Sequence, residues 1–459
     1  MLLKRFLICL TFFIFCLRII GAEVNIICTT DLHGRFNAMP SLAAVINSYS
    51  KNTLKIDVGD TLSGTLLSDS MGGQPMISLL NLMKFDVWVP GNHDFEQGYS
   101  VLEKRISEFR GTVLGIQWHW RNIRPAGWKM FLINGVKIAV IGATDPAMPW
   151  RILPGIDGVF KDTTESVAAV LPQIMAQKPH VIVLAYHNGE YSRYGSVYSI
   201  SRRFPCIDLI LGGHSHQEVI GKRIRKTYFV QAGAHGAAVA LIKIKVDDKT
   251  GKLSRIESAM LYPEAEETDA LVKTQCRLWQ EREARMAEKI VVQTQELYRL
   301  PIRKDRFSRL GDLGVTALLK ASGADGACFS LAETKTPDFQ RRNSLGKYVI
   351  NEGRLFDMFP YTNRICLIEV ERDDLAEFEM SVRDFSRKRK RRYFFAGAIQ
   401  MDKKGKLSCS KDKFILAVSD YVLTSLPVLQ RKLEIRGKWS VVPGLFERDV
   451  IRRALKNCR

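Results

Sequence analysis

Six short runs of apolar and β-branched residues occupy the first half of the chain, and each ends in a polar cluster. They read VNIICTTDLHG, LKIDVGD, FDVWVPGNHD, KIAVIGATD, HVIVLAYHNG and DLILGGHSH. Runs this short and this apolar are typical of strands that are buried on both faces. The segments between them, such as 100–109 and 163–177, have apolar spacing that suits helices. The first half is therefore predicted to be an α/β domain whose sheets are covered by helices.

A charged segment, 264–293, separates this half from the rest of the chain. It reads EAEETDALVKTQCRLWQEREARMAEKIVVQ, lacks Gly and Pro, and places Leu271, Leu278 and Met286 at helical spacing. This pattern predicts a linker helix. The remainder, 294–459, again mixes helix and strand patterns and is predicted to be a second α/β domain. With 459 residues, of which 46% are hydrophobic, the chain is long enough for two separate cores.

The N-terminus, residues 1–22, is predicted to be a secretory signal peptide. It reads MLLKRFLICLTFFIFCLRIIGA, with basic residues at Lys4 and Arg5, an apolar run, and small residues before a cleavage site after Ala22. The alternative is a membrane anchor, but the apolar run is interrupted by Arg18 and is shorter than the roughly 20 residues that a bilayer requires. We therefore expect an exported chain, periplasmic or secreted, without a stable membrane span after cleavage.

Charge and cysteine content narrow the classes of partner and of metal site. The formal net charge of +20 indicates attraction to anions, and the basic run 387–392 is either a solvated surface or a contact for a phosphate-rich partner. The cysteines that follow the signal peptide are widely spaced and include no CxxC pair. Neither a disulfide scaffold nor a cysteine zinc site is therefore predicted.

Histidines concentrate in the polar clusters at the ends of the predicted strands. Of the eight histidines in the chain, five lie there, accompanied by carboxylates and one amide: Asp31, His33, Asp60, Asn92, His93, Asp94, His187, His214 and His216. Imidazole, carboxylate and amide groups together form a ligand set for transition metals, and there are too many of them for one tetrahedral ion. Two cations about 3.5–4 Å apart would share a carboxylate, for which Asp60 is the candidate.

The order of these clusters, D-x-H, GD, GNH[DE], H and GHxH, resembles that of the calcineurin-like metallophosphoesterases. TTDLHG, GNHDFEQG and GGHSH resemble the 5′-nucleotidase branch in particular. SRLGDLGVTALLKASGAD and LFDMFPYTNRICLIEVERDDL resemble the C-terminal substrate-binding domain of that branch. The resemblance implies a β-sandwich flanked by helices over 23–263, a linker helix over 264–293 and a mixed α/β substrate-binding domain over 294–459.

The resemblance also implies a role for each clustered residue. One cation would be held by Asp31, His33, Asp60 and His216, and the other by Asp60, Asn92, His187 and His214. His93 would face the phosphoryl group, and Glu96, or alternatively Asp94, would orient its imidazole. The ligands suit Zn, Mn, Fe or Co, so the identity of the two divalent metal ions stays open.

The implied activity is hydrolysis of nucleotides or related phosphate esters by a water that two cations activate. The substrate-binding segments depart from the branch, since Lys335 stands where arginine is usual. Tyr361, Asn363 and Tyr421 are candidate substrate contacts, although ordinary packing would also account for the two tyrosines. Alternative functions are a phosphodiesterase or nucleotide-sugar pyrophosphohydrolase on the same scaffold, or a basic nucleic-acid or envelope-binding protein with a relic metal site. Nucleic acid is not the expected partner.

Overall fold

A computed structural model describes most of the chain between residues 22 and 457. The described ranges are 22–49, 51–120, 122–145, 158–192, 195–294, 306–331, 348–389, 393–402, 406–426, 428–429, 432 and 439–457. Nearly all of the predicted signal peptide, together with Lys335 and residues 390–392, lies outside these ranges.

The elements alternate between strands and helices along the chain. The strands are β1 Ala22–Thr29, β2 Thr53–Asp57, β3 Val87–Trp88, β4 Thr112–Val113, β5 Trp118–Trp120, β6 Trp128–Ile133, β7 Val136–Ala143, β8 Gly158–Phe160, β9 Val181–Tyr186, β10 Leu209–Gly212, β11 Glu218–Ile224, β12 Thr227–Ala232, β13 Val239–Val246, β14 Leu253–Leu261, β15 Ile290–Thr294, β16 Gly326–Ser330, β17 Tyr348–Asn351, β18 Arg364–Glu371, β19 Tyr393–Gly397, β20 Ile399–Met401, β21 Leu407–Cys409, β22 Lys413–Ser419 and β23 Trp439–Phe446. The helices are α1 Met39–Ser48, α2 Leu66–Ser70, α3 Gln74–Leu82, α4 Tyr99–Glu108, α5 Thr163–Ala176, α6 Val197–Arg203, α7 Ala270–Ala287, α8 Arg306–Ser322, α9 Glu352–Met358, α10 Leu375–Arg389, α11 Asp420–Ser425 and α12 Glu447–Lys456.

Two six-stranded sheets form the N-terminal half. The first has the order β14-β13-β1-β2-β3-β4 and the second the order β11-β12-β10-β9-β7-β6. In the first sheet, β1, β2, β3 and β4 run parallel. In the second sheet, β7, β9, β10 and β12 run parallel. Each sheet therefore gathers the carboxyl ends of its central strands, and the loops that follow them, along one edge.

The two sheets pack face to face through apolar side chains. Ile26 and Ile56 of the first sheet share a fully buried cluster with Val140, Val183 and Leu211 of the second. Such runs of branched side chains, buried on both faces of their strands, explain the near absence of alternation in the sequence. Helices α1, α3, α4 and α7 cover the outside of the first sheet, and α5 and α6 cover the second. The predicted α/β fold class, a sandwich flanked by helices, is confirmed.

Helix α7 lies within the segment predicted to be a linker and packs on the first sheet. Its buried side chains are Val272, Cys276 and Trp279, at the i, i+4, i+7 spacing of one helical face. Leu271 and Leu278 are instead 64% and 52% exposed. After this helix the chain enters strand β15 rather than continuing the helix to residue 293.

The C-terminal half is built on a five-stranded sheet with the order β19-β16-β22-β18-β23. Helices α8 and α12 cover one face, while α10 and α11 cover the other. Strand β18 alternates accordingly, because Ile365 belongs to the first cluster and Cys366 and Ile368 to the second.

A buried ion pair joins the two halves. The guanidinium of Arg448, on α12, lies 3.4 Å from Oδ2 of Asp69, on α2, and the two side chains are 12% and 7% exposed. The Thr362 hydroxyl donates to the same oxygen at 3.2 Å. These contacts hold the residues around Tyr361 against the rim of the sandwich.

Candidate metal centre and active site

The polar clusters follow parallel strands of both sheets and meet at one rim of the sandwich. The predicted ligands follow the strands in this order: Asp31 and His33 after β1, Asp60 after β2, Asn92 after β3, His187 after β9, and His214 and His216 after β10. The carboxyl ends of parallel strands lie along one edge of a sheet, and α/β proteins commonly bind their ligands at that edge. The rim thus assembles seven side chains from five separate stretches of the chain.

These side chains form two adjacent groups of candidate metal ligands. Asp31, His33 and His216 form one group, and Asp60, His187 and His214 form the other; within each, the ligand atoms lie within 4.8 Å of one another. In the first group the Nε2 atoms of His33 and His216 are 3.0 Å apart. In the second group the Nε2 of His187 is 3.1 Å from Oδ2 of Asp60.

One carboxylate oxygen faces both groups. Oδ2 of Asp60, 3.1 Å from the His187 ring, is also 3.9 Å from Nε2 of His33. The amide of Asn92 joins the second group, with Oδ1 2.8 Å from Nδ1 of His214. A single carboxylate thus lies between two sets of nitrogen and oxygen groups that could each hold a cation.

The backbone at this rim is held in an unusual conformation. Five of the predicted ligands have positive φ angles: Asp31 at 53°, His33 at 47°, Asp60 at 53°, His214 at 69° and His216 at 58°. Non-glycine residues rarely adopt this left-handed region, and where they do, the strain tends to mark a functional site. Hydrogen bonds between neighbouring loops maintain it, since Asp31 N donates to Gly59 O and His33 N to Asp60 O, both at 2.8 Å.

His187 provides a test of whether the residues fit a metal. The ring is fully buried, and Nδ1 must be the protonated nitrogen because it lies 2.5 Å from the Val58 carbonyl oxygen. Nε2 lies 3.1 Å from Oδ2 of Asp60, and within the described part of the chain it makes no hydrogen bond. Burial lowers the pKa of this ring, but the Asp60 and Asp31 carboxylates outweigh it and raise the pKa to about 10, so a cation that binds Nε2 takes the place of a proton. An imidazole whose other N–H donates to a backbone carbonyl, which leaves the second nitrogen to bind the metal beside a carboxylate, is the usual form of a histidine metal ligand. The donor set therefore fits a cation.

The acid-base properties of the cluster agree with this fit. Burial lowers the pKa of the His33 imidazole to about 3, which keeps that ring neutral and able to act as a ligand. Burial raises the pKa of the Asp31 carboxyl, and the nearby Asp60 carboxylate adds to the effect. For Asp60, burial acts in the same direction, but His187 and His93 outweigh it and hold the pKa well below its usual range. Two carboxyl groups buried this close together gain from a cation between them.

Asp94 was one of two candidates for orienting His93, and the structure gives it different contacts. Its carboxylate is 3% exposed and accepts four backbone N–H groups, from Asp60 at 3.0 Å, Thr61 at 2.9 Å, Leu62 at 2.8 Å and Gly91 at 2.8 Å. Two of these donors bond to each oxygen. Asp94 therefore fixes the backbone of the loop that carries Asp60.

We predict that Asp94→Asn lowers the free energy of unfolding by about 3 kcal/mol, because an amide nitrogen would face two buried N–H donors and leave both without an acceptor. The loosened loop should also weaken metal binding. Urea unfolding and metal content measure the two effects. Asp162→Asn is the control, since Asp162 caps helix α5 by accepting from Glu165 N at 2.9 Å and asparagine caps equally well. Equal stability of the two variants would contradict the prediction.

His93 lies beside the two ligand groups, and its imidazole contacts Glu96. The distance from His93 Nδ1 to Glu96 Oε1 is 2.6 Å. The backbone N–H of His93 donates to Oδ1 of Asp60 at 2.8 Å, so the imidazole is held next to the shared carboxylate. Its ring centroid is 5.2 Å from that of His33.

Comparison with known proteins identifies the first of the two halves. Residues 24–218 match the family described as calcineurin-like phosphoesterase. The chain carries a calcineurin-like phosphoesterase domain. The family predicted from the motifs is thereby confirmed for this part of the chain, and the match agrees with the predicted enzyme class, a metal-dependent phosphoester hydrolase.

Relatives of this chain carry the name of the predicted branch. The rat 5′-nucleotidase is 21% identical over 309 residues, which cover 56% of this chain and 52% of the relative. The chain thus spans about half the length of the curated relatives it matches.

Two solved structures match the fold over nearly its whole length. A putative 5′-nucleotidase from Staphylococcus aureus has a TM-score of 0.71 at 19% identity, covering 95% of this chain and 97% of that one. A 5′-nucleotidase precursor from Thermus thermophilus has a TM-score of 0.65 at 18% identity, covering 95% and 96%. Both halves of the chain therefore share the fold of these two structures.

A cavity of about 300 Å³ opens between the rim of the sandwich and the C-terminal half. Its lining residues are Asn92, His93, Phe95, Glu96, Tyr361, Asn363, Arg364, Asp420, Tyr421 and Thr424. Three of the predicted substrate contacts, Tyr361, Asn363 and Tyr421, are thus brought to the side of His93. The amide of Asn363 is occupied by Glu447, to which Nδ2 donates at 2.8 Å. The fourth predicted contact, Lys335, lies outside the described residues.

Sequence reasoning missed an ion pair in this cavity. Arg364 Nε donates to Asp420 Oδ2 at 3.2 Å, and the two side chains are 12% and 16% exposed. The residues are 56 positions apart and meet because β18 pairs with β22, with Ile365 opposite Ser419. Arg364 directly follows Asn363, and Asp420 directly precedes Tyr421, both of which are predicted contacts. This adjacency is the one signal in the sequence that points to the pair.

Proposed function

We propose that the chain is an exported phosphoesterase with two metal ions, which hydrolyses nucleotides or related phosphate esters. The single observation that carries this proposal is the position of Asp60. Its Oδ2 faces both ligand groups, and its Oδ1 accepts the N–H of His93, so one residue links two candidate cation sites to the imidazole beside them.

The proposed roles follow from the positions of the side chains. Asp31, His33, Asp60 and His216 would hold one divalent cation, and Asp60, Asn92, His187 and His214 the other. Such a pair of cations lowers the pKa of a water and neutralises charge on phosphoryl oxygens. His93 would face the phosphoryl group from the side of the cavity and protonate the departing oxygen or stabilise charge on it. Glu96 keeps the imidazole in the required orientation. The ligand atoms suit Zn, Mn, Fe or Co.

The proposed substrate is a nucleotide or a related ester. Support comes from the name 5′-nucleotidase shared by the relatives and from the aromatic residues Tyr361 and Tyr421 in the cavity next to His93. A phosphoryl group at the metals would leave the rest of the molecule between these rings. Arg364 and Asp420 offer polar contacts there for hydroxyl and amino groups.

We propose export through cleavage after Ala22, with a phosphoesterase domain over 23–263, a linker over 264–293 and a substrate-binding domain over 294–459. Cleavage at that point would leave Glu23 to begin strand β1, where it pairs with Lys245 of β13. Strand β1 would then be shorter by Ala22, its first residue. Among the helices that the structure describes, none is long and apolar enough to cross a membrane.

The proposal is tested by incubating the mature chain, beginning at residue 23, with Mn, Zn or Co, and measuring both inorganic phosphate and the loss of each substrate by chromatography, because hydrolysis of UDP-glucose or of a cyclic ester releases no inorganic phosphate. The substrates are 5′-AMP, UDP-glucose, 2′,3′-cyclic AMP and a generic aryl phosphate. Turnover of 5′-AMP supports the monoesterase proposal, whereas preference for UDP-glucose or the cyclic ester indicates a pyrophosphohydrolase or a phosphodiesterase. A chain that binds metal but turns over none of these esters contradicts the proposed function.

We predict that Tyr361→Leu and Tyr421→Leu each raise KM for 5′-AMP by about tenfold, because stacking of a base on an aromatic side chain contributes about 1–3 kcal/mol. The value of kcat should change little, since neither tyrosine belongs to the ligand groups. Turnover of inorganic pyrophosphate or a small alkyl phosphate, which has no base to stack, should be unaffected. Tyr191→Leu is the control, as Tyr191 is 73% exposed and does not line the cavity. An unchanged KM in both variants would assign the tyrosines to packing.

A further inference from the structure

A sixth histidine lies at the rim and has no place in the proposed ligand set. His235 follows β12, which is the parallel neighbour of β10, the strand that precedes His214 and His216. Its ring centroid is 5.4 Å from that of His33 and 5.3 Å from that of His216. The His33 and His216 centroids are themselves 5.0 Å apart. The three imidazoles therefore form a nearly equilateral triangle. Two of its corners belong to the first ligand group, and His235 is the third.

The backbone of His235 shares the properties of the proposed ligands. Its φ is 61°, in the left-handed region that Asp31, His33 and His216 also occupy. Its N–H donates to the carbonyl oxygen of Asp31 at 2.7 Å, which ties its loop to the first ligand group. Glycine or asparagine would adopt this backbone more readily than histidine. The exposed imidazole is thus not explained by the turn or by packing in the core.

We propose that His235 is a further nitrogen ligand for the cation held by Asp31, His33 and His216. His235 lies just outside that group, whose ligand atoms are within 4.8 Å of one another, and its exposed side chain can turn toward them about its own staggered torsions. The inference rests on the proposed dinuclear centre and adds a residue to it. It also narrows the choice of metal ion, because a site with three imidazoles favours Zn or Co over Mn, which prefers oxygen ligands.

The substitution that tests this is His235→Gly, since glycine keeps the left-handed backbone without strain and removes only the imidazole. The control is His180→Gln. His180 precedes β9 at the end opposite His187, and its Nδ1 accepts from Lys137 N at 2.9 Å, a bond that glutamine can keep. Both variants and the unsubstituted chain are stripped with a chelator and titrated with Zn, Co and Mn, and the visible absorption of the Co form is recorded.

We expect the unsubstituted chain and His180→Gln to bind two ions. His235→Gly should bind one of its two Zn or Co ions at least about tenfold more weakly, the smallest loss usual when groups around a metal site are removed. The Mn affinity should change less, the Co spectrum should shift, and free imidazole should restore both Zn affinity and spectrum.

The outcomes separate this inference from the proposed function. Unchanged Zn and Co binding with an unchanged Co spectrum in His235→Gly overturns the role of His235 and leaves the dinuclear proposal intact. An equal loss of Zn, Co and Mn that imidazole does not restore also overturns it, because the loop rather than the ligand would then be responsible. Fewer than two ions in the unsubstituted chain contradict the dinuclear centre itself.

Discussion

Asp60→Asn is expected to lower phosphate release by about 10³-fold, the upper part of the range for removing one preorganised electrostatic group. Asp60 is the carboxylate that faces both ligand groups, and its other oxygen accepts the N–H of His93. An amide of the same shape removes the negative charge between the two candidate cation sites and replaces one ligand oxygen by a nitrogen that cannot bind a metal. Activity assays and metal analysis of the purified protein measure both consequences.

The matched control is Asp208→Asn. Asp208 is a partly buried carboxylate whose Oδ2 accepts from Ile182 N at 2.8 Å, at the amino end of β9 and so away from the rim. This variant should keep its metals and its activity. If Asp60→Asn keeps two bound ions and most of its turnover, Asp60 does not bridge the centre.

His93→Gln is expected to lower kcat by about 10²–10⁴-fold while leaving the metal content unchanged. The imidazole adjoins the ligand groups and lines the cavity that also contains Tyr361 and Tyr421, but it belongs to neither group. The loss should depend on the leaving group. The leaving group of an aryl phosphate is an aryl oxide, which departs without a proton, whereas that of 5′-AMP is the 5′ oxygen of adenosine, which would depart as a strongly basic alkoxide unless protonated. Turnover of the nucleotide should therefore fall more.

Two further variants separate the function of His93 from general damage. Glu96→Gln should give a smaller loss with the same dependence on the leaving group, because it removes only the charge of the 2.6 Å contact to Nδ1. His119→Gln, on strand β5, removes an imidazole outside both ligand groups and should retain full activity. Equal losses for the aryl phosphate and 5′-AMP in His93→Gln would exclude proton donation to the leaving group.

The sequence was sufficient to predict which side chains meet at the rim. Each cluster directly follows an apolar run, and parallel strands bring their carboxyl ends to one edge of the sheet. It could not decide between Asp94 and Glu96, because both lie within three residues of His93. That choice depends on the short 3₁₀ turn His93–Phe95, which directs Asp94 toward four backbone amides and leaves Glu96 beside the ring.

Other features depend on pairing over long distances. Arg364 and Asp420 form an ion pair only because β18 and β22 align in one register, and no local pattern specifies that register. The sequence also could not predict which face of α7 is buried. Leu271 and Leu278 are more apolar than Cys276, yet they point to solvent and Cys276 is buried. His235 resembles an ordinary loop histidine until β12 is placed beside β10.

The left-handed backbone of the rim links metal supply to the lifetime of the folded protein. Five candidate ligands hold conformations that cost about 1–3 kcal/mol each in a typical protein. Cations that bind the folded rim and not the unfolded chain stabilise the fold by mass action. A metal-starved chain should therefore open more often at this rim and be cleaved faster by proteases than the same chain with Zn or Mn. The abundance of the protein in its compartment would then follow the free metal concentration, even if its synthesis were constant.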